Sequence, residues 1–412
     1  MTDSRNRPRT VIIGAGLSGL ACAADLTAAG VPVQVLEAGT AVGGRIRTDR
    51  RAGFLLDRGF QVFNTAYPQV QRRVDLLALQ LCPFTPGMLL HTSQGRVRFC
   101  DPTRDPRQFG DVLRGRLAGP RDVAALVALC GRDMLLPGRL VKRGRDRTTL
   151  EALTAAGISG ELIERMFRPF LSGVFLEDEL ETSSRFFHLV WRSMLRGSLC
   201  LPRQGMQAFP EQLAAALAPG MIRLETPVSR LTNEGVQLSD GTYLPADVVV
   251  VATGPAAAQT LLPGLDAPPT RTVTTIYHAM PSPPLAEPTL LVDSEQVVLH
   301  TSVLTEVTRT YTRDGRALVS TSVLGPDRDD LEYSVRSRLE TLYEVDATDW
   351  ETVATYTIED ALPAMPPPHP LSRRCRLSPR HYICGDHRST GSIQGALASG
   401  ARAAREVLAA AS

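Results

Sequence analysis

The segment VIIGAGLSGL places Gly14, Gly16 and Gly19 between a β-branched run, Thr10 to Ile13, and an Ala/Leu-rich stretch of helical spacing, Leu17 to Ala29. Three glycines at this spacing suit the binding of a diphosphate. Gly14 permits a tight turn, Gly16 lets the backbone approach phosphate, and Gly19 lets helix and sheet pack closely. The free N–H groups of the helix start, around Ala15 and Ser18, offer the positive end of a dipole to the same charge. A second β-branched run, Val33 to Leu36, ends in Glu37, where a carboxylate accepts the hydroxyls of an adenosine ribose and repels a phosphate in their place. The chemistry implied is dinucleotide binding, with NADP disfavoured.

These residues need a βαβ unit to hold them, and the run of Thr10 to Glu37 supplies one, closed by Gly30. From Pro83 to about Arg147 the chain reads as loop-like and arginine-rich, with a helical patch at Val123 to Cys130. Helices are expected from about Leu150, and a helix at Met206 to Leu217. Strands are expected at Ile222 to Leu224, Asp247 to Thr253, Gln296 to Val303, Ala317 to Val323 and Tyr382 to Cys384, before a long alanine-rich final helix. Proline clusters at Pro263 to Pro269, Pro281 to Pro288 and Pro363 to Pro370 punctuate the second half.

The fingerprint alone leaves FAD and NAD open, and the residues after Glu37 separate them. EAGTAVGGRIRT resembles the extended motif of the flavoprotein superfamily of amine oxidases, protoporphyrinogen oxidases and phytoene desaturases, with Gly43, Gly44 and Arg45 in its GGR positions. Two glycines let that loop pass over a pyrophosphate, which Arg45 neutralises with a fork of donors. FLLDRGFQVF resembles the segment running along the flavin ring, which puts Gly59, Phe60 and Gln61 near the isoalloxazine. YICGDHRSTGSIQGALASGARAA resembles the closing motif: Gly385 and Asp386 fall at the ribityl chain, and Ser392, Ile393 and Gln394 at the helix start beneath the pyrimidine edge. TPVSRL resembles the strand whose Val228 meets the adenine through its backbone, and VVVATGP the turn near the cofactor.

By this resemblance the fold is α/β, with a discontinuous Rossmann-like FAD-binding domain (residues 1–82, 199–264 and 366–412) and a mixed α+β substrate-binding domain, helical in 83–198 and β-containing in 265–365. FAD is expected to be non-covalent, since no cysteine stands in the TGS turn. The reaction implied is hydride removal from a bulky apolar substrate such as a carotenoid precursor or porphyrinogen, by a dehydrogenase, desaturase or oxidase. Oxygen and quinone stay open as electron acceptors, and the oligomeric state stays open with them.

Gln61 and His300, the latter in HTSVLTEV, are candidates to face the flavin; each has a structural alternative, a buried hydrogen bond for Gln61 and a satisfied core histidine for His300. Phe170, Phe175, Phe187 and Trp191 are candidates for a substrate chamber, although an ordinary core accounts for most such aromatics. Lys142 is the sole lysine and lies in the basic segment VKRGRDR, which counts against an amine oxidase that holds a water on lysine. A flavin-containing binding or scaffold protein and an ordinary NAD-dependent enzyme remain as alternatives; GGR and the Gly-Asp motif count against the second.

Composition excludes other classes. Net charge is only +2 and the arginines are scattered, so no nucleic-acid partner is expected. Seven cysteines without a CxxC pair suit reduced thiols and a cytoplasmic address, with peripheral membrane contact as a route to lipophilic substrate. No apolar run approaches the length of a bilayer span, and isolated histidines argue against a metal.

Overall fold

The runs TVII and VVVV are apolar on both sides because both faces of their sheet are covered. The computed structural model describes residues 9–99 and 118–411; Cys100 and the rest of the arginine-rich stretch up to residue 117 lie outside them. Five parallel strands form the first sheet, in the order Ile222–Arg223, Val33–Leu36, Thr10–Ile13, Val248–Val251, His381–Ile383. Three separated stretches of chain therefore build one Rossmann-like sheet. The period of two sorts its side chains: Ile12, Val35 and Val250 pack with helices Leu17–Ala28 and Ile393–Ala411, whereas Val11, Ile13, Val249 and Val251 pack under an antiparallel three-stranded sheet formed by residues 228–245.

The second sheet has seven strands, in the order Glu351–Pro363, Thr270–Met280, Ala317–Leu324, His300–Val303, Leu291–Asp293, Met88–Thr92, Gly95–Phe99. All its pairs are antiparallel except Leu291–Asp293 with Met88–Thr92. Helix Leu331–Tyr343 packs on this sheet through Leu331, Val335, Leu339 and Leu342. Elsewhere the sheet meets a helical layer that includes Pro120–Leu135, Arg168–Phe175 and Ser184–Arg196, through Met88, Leu90 and Val292.

Several elements differ from the sequence expectation. The stretch read as loop-like contains the hairpin Met88–Phe99, and the helical patch grows to Pro120–Leu135. The strand expected from Gln296 starts only at His300, because Asp293 accepts from the N–H groups of Glu295 and Val298 and turns the chain there. The helix expected at Met206 to Leu217 is trimmed to Ala208–Ala215. Among the described residues, no helix is long and apolar enough to cross a membrane, and no cluster of three potential metal ligands is gathered.

Candidate cofactor and substrate site

Gly14 follows its strand with φ +103°, a conformation that glycine supports, and a Cβ there would lie 2.9 Å from the Ala252 carbonyl. Gly19 is tighter still against the carbonyl of Gly14. Gly16 is different, since a Cβ on it would meet nothing within 4 Å. It starts helix Leu17–Ala28 with no side-chain cap and no acid in the first turn. An open space thus faces uncapped N–H groups, which is the arrangement an anionic diphosphate requires. Exposed Gly44 lies over it, 3.4 Å from the Gly16 Cα to where its own Cβ would stand, and Gly43 hydrogen-bonds to the Ala15 carbonyl at 2.9 Å. Ser18 is buried in the helix's first turn.

Glu37 ends its strand with both carboxylate oxygens engaged: Oε2 accepts from Ala15 N–H at 2.7 Å and Oε1 from Gly39 N–H at 2.8 Å. Each oxygen retains a lone pair for a hydroxyl donor. Thr226 N–H donates to the Glu37 carbonyl at 2.8 Å, and this brings Val228, two residues on and paired with Leu238, to the same end of the sheet.

The carboxyl-terminal motif meets the amino-terminal one directly. Arg45 pairs with buried Asp386 at 2.6 Å and donates also to the carbonyls of Asp360 and Ala361, at 3.1 and 2.8 Å. The guanidinium assigned to pyrophosphate and the carboxylate assigned to the ribityl chain therefore join, 341 residues apart in sequence (386 minus 45). Asp386 is fixed in turn by His387 N–H at 3.0 Å, and follows Gly385 on the strand's exit. Gly400 of the final helix lies so close to the Ser18 carbonyl that a Cβ would collide with it. The Ser392 hydroxyl accepts from Gly395 N–H at 3.0 Å, Ile393 opens the helix, and the Gln394 side chain accepts from Gln69 N–H at 2.9 Å. An uncapped helix start that can cradle a diphosphate, a carboxylate with free lone pairs and a second helix start at the carboxyl end of the strands fit the phosphates, ribose and ring of FAD.

Gly59 has φ +85° and is buried beside Ile358. Next to it Gln61 donates from Nε2 to the Arg45 carbonyl at 2.8 Å, while its Oε1 is buried without a partner. Phe60 packs on His300, ring centroids 4.4 Å apart, and on Phe84 at 6.2 Å. His300 is 6% exposed, its Nε2 has no partner, and burial lowers its pKa to about 4, so the ring is neutral. Gly173 makes room for it, because a Cβ there would stand 2.8 Å from Nδ1. Gly173 and Phe84 went unnoticed in the sequence; a glycine inside the helix Arg168–Phe175 was the available signal.

Of the chamber candidates, Phe175, Phe187 and Trp191 are buried in one aromatic cluster with Phe167 and Phe186, and Phe170 packs half-buried against Trp191 at 6.3 Å. Three of the four thus have a core's surroundings. Lys142 is exposed on the short helix Gly138–Arg143.

Comparison with known proteins agrees with this geometry. The model of the family described as flavin containing amine oxidoreductase matches residues 17–408. The chain is 27% identical to coproporphyrinogen III oxidase of Propionibacterium freudenreichii over 61% of its length and 58% of that protein's, so the match spans little more than half of this relative. It is 28% identical to hydroxysqualene dehydroxylase of Sinorhizobium fredii, over 69% and 71%. The solved structure of cyclohexylamine oxidase from Brevibacterium oxydans shares the fold, with a TM-score of 0.70 at 19% identity over 97% of this chain and 98% of that one. The chain therefore belongs to the flavin containing amine oxidoreductase family, and its FAD cofactor and its class, an oxidoreductase, come with that membership.

Proposed function

We propose that the chain removes a hydride from a bulky apolar molecule of the porphyrinogen or polyene type, as a dehydrogenase, desaturase or oxidase. The observation that carries this reading is the wall formed by Phe60, Phe84 and His300: two aromatic rings and a histidine that burial keeps neutral. Such a wall favours an apolar substrate over a charged amine, and the sole lysine is solvent-exposed on a helix of the other domain's helical part. The relatives named for coproporphyrinogen and hydroxysqualene support the same substrate class.

Bound flavin supplies the hydride acceptor. The protein's own groups then orient and exclude. Gly16 and the helix start hold the diphosphate, Glu37 the ribose, and Arg45 with Asp386 the middle of the cofactor; Gln61 keeps the Arg45 backbone in place. Phe60 and Phe84 hold water off the reacting face. The unpartnered Nε2 of His300 accepts a hydrogen bond from a substrate N–H or O–H. Sites, domain limits and substrate class are all part of this proposal.

The test is anaerobic titration of the oxidised holoprotein with coproporphyrinogen, a polyene precursor and a primary amine, followed by flavin absorbance. Bleaching by a porphyrinogen or polyene and not by the amine is expected. Bleaching by the amine alone would overturn the assignment, and a flavin that no substrate bleaches would favour a binding or scaffold role.

A further inference from the structure

Away from the cofactor groove, a cavity of about 610 Å³ opens beside the edge strand His381–Ile383. Leu231, Leu261, Leu262, Leu265 and Leu377 make most of its apolar lining, and its charged members are Arg373, Arg388 and the exposed Asp266. Its size falls within the range of roughly 300–1,000 Å³ common to small-molecule sites.

Arg388 is the unusual member. It is 8% exposed, its Nε has no partner, and its one side-chain hydrogen bond runs from Nη2 to the Arg374 carbonyl at 3.0 Å. Among the described residues no carboxylate pairs with it. Glu406 is taken up by the N–H groups of Cys375 and Arg376. Arg373 pairs with Asp266 at 3.0 Å, but that carboxylate is 90% exposed, and His381 turns Nδ1 to the Ser378 hydroxyl at 3.2 Å. A buried cation lacking a counterion is costly unless something else compensates it. Here the compensating anion would arrive with a hydrocarbon chain, since leucines line the approach.

We propose that this cavity binds an amphiphilic anion, a carboxylate or phosphate head on Arg388 with an aliphatic chain along Leu261, Leu262 and Leu265. Arg388 and Asp386 share the single turn Asp386–Arg388, with Asp386 directed to Arg45 and Arg388 to the cavity. Occupancy is thereby linked to the flavin side of the molecule, whatever substrate the enzyme oxidises.

Calorimetric titration of the flavin-loaded protein with decanoate, decyl phosphate, decanol and inorganic phosphate tests it. The two amphiphilic anions should saturate one site and bind at least about tenfold more tightly than decanol or phosphate. They should also shift the flavin absorbance bands. Arg388→Gln and, independently, Leu265→Glu should each weaken decanoate by about tenfold or more, with Arg388→Lys retaining binding. Leu265 is partly exposed, so its variant decides the matter if Arg388→Gln fails to fold. Flotation with phosphatidylglycerol vesicles, lost in both variants, would identify the anion as a membrane lipid; binding in solution without flotation would identify a free amphiphile. Decanoate binding no tighter than phosphate, or unchanged in both variants, would overturn the proposal.

Discussion

A single carboxylate at Glu37 serves the fold and, in the proposed function, the ligand as well. It satisfies the N–H groups of Ala15 and Gly39, two turns that need fixing before any nucleotide arrives. Glu37→Ala should therefore cost about 1–3 kcal/mol of stability and also lower the flavin-to-protein absorbance ratio. A variant that keeps full flavin would remove the ribose role. His300 belongs to the same scale and makes a pH prediction. Burial lowers its folded pKa from 6.5 to about 4, so above pH 6.5 folded and unfolded chains are both neutral and its contribution is fully present. As pH falls from there toward 4, the unfolded chain takes up a proton that the folded chain refuses, and stability drops by up to roughly 3 kcal/mol. His387, lowered to about 4 by burial with Arg388 and Arg45 against protonation, adds in the same sense. Asp57, raised by burial, works in the opposite one. The comparison is thus between slopes: His300→Asn should flatten the fall of Tm between pH 6.5 and 5 relative to wild type. Equal slopes would mean that the His300 ring is not buried.

At the scale of elements, small residues decide how closely helices approach. Gly400 of the last helix meets the Ser18 carbonyl of the first, so these two helices lie backbone to backbone, and Gly19 seats the first helix on the Gly14 turn. Gly400→Val should cost about 2–3 kcal/mol by overpacking and reduce flavin retention, because the Ser392 to Gln394 turn rides on the same helix. Gly131, inside helix Pro120–Leu135 with nothing near its missing Cβ, is the contrast: Gly131→Ala should raise stability by about 0.5–1 kcal/mol. Thermal melts of the two variants check both signs. Elements of this kind were legible where local chemistry defines them. TVII, VVVV and the glycine turn each state their conformation within a few residues. The hairpin Met88–Phe99 did not, because MLLHTSQGRVRF alternates little and its strand is stabilised by Leu291–Asp293, about two hundred residues away.

Over the whole molecule, what escaped the sequence is contact between distant segments. The two cofactor motifs could be recognised at either end of the chain, but nothing local announced that Arg45 would close on Asp386. The same holds for Asp57, whose near neighbours Gly59, Phe60 and Gln61 were read for the flavin while the acid itself was passed over. Its carboxylate is 2% exposed and accepts from the Thr48 hydroxyl at 2.5 Å, Met206 N–H at 2.9 Å and the Tyr311 hydroxyl at 2.7 Å; its carbonyl accepts from Tyr277 at 2.6 Å. Tyr277 stands on the seven-stranded sheet, so one residue ties the strand that leads into the flavin motif to the second layer of the protein. Removing the carboxylate leaves three donors unanswered, two of them buried and the Thr48 hydroxyl half-buried. Asp57→Ala should then cost about 3–5 kcal/mol. Asp57→Asn keeps one acceptor but turns an amide N–H toward a donor, and Tyr311→Phe removes one donor of the three, so each should cost about 1–3 kcal/mol. Urea unfolding of the three variants should rank them in that order, with flavin lost before the main transition in Asp57→Ala, since Gly59 and Phe60 would lose their anchor first. If Asp57→Ala unfolds at the wild-type midpoint, the two sheets are held together by apolar packing alone.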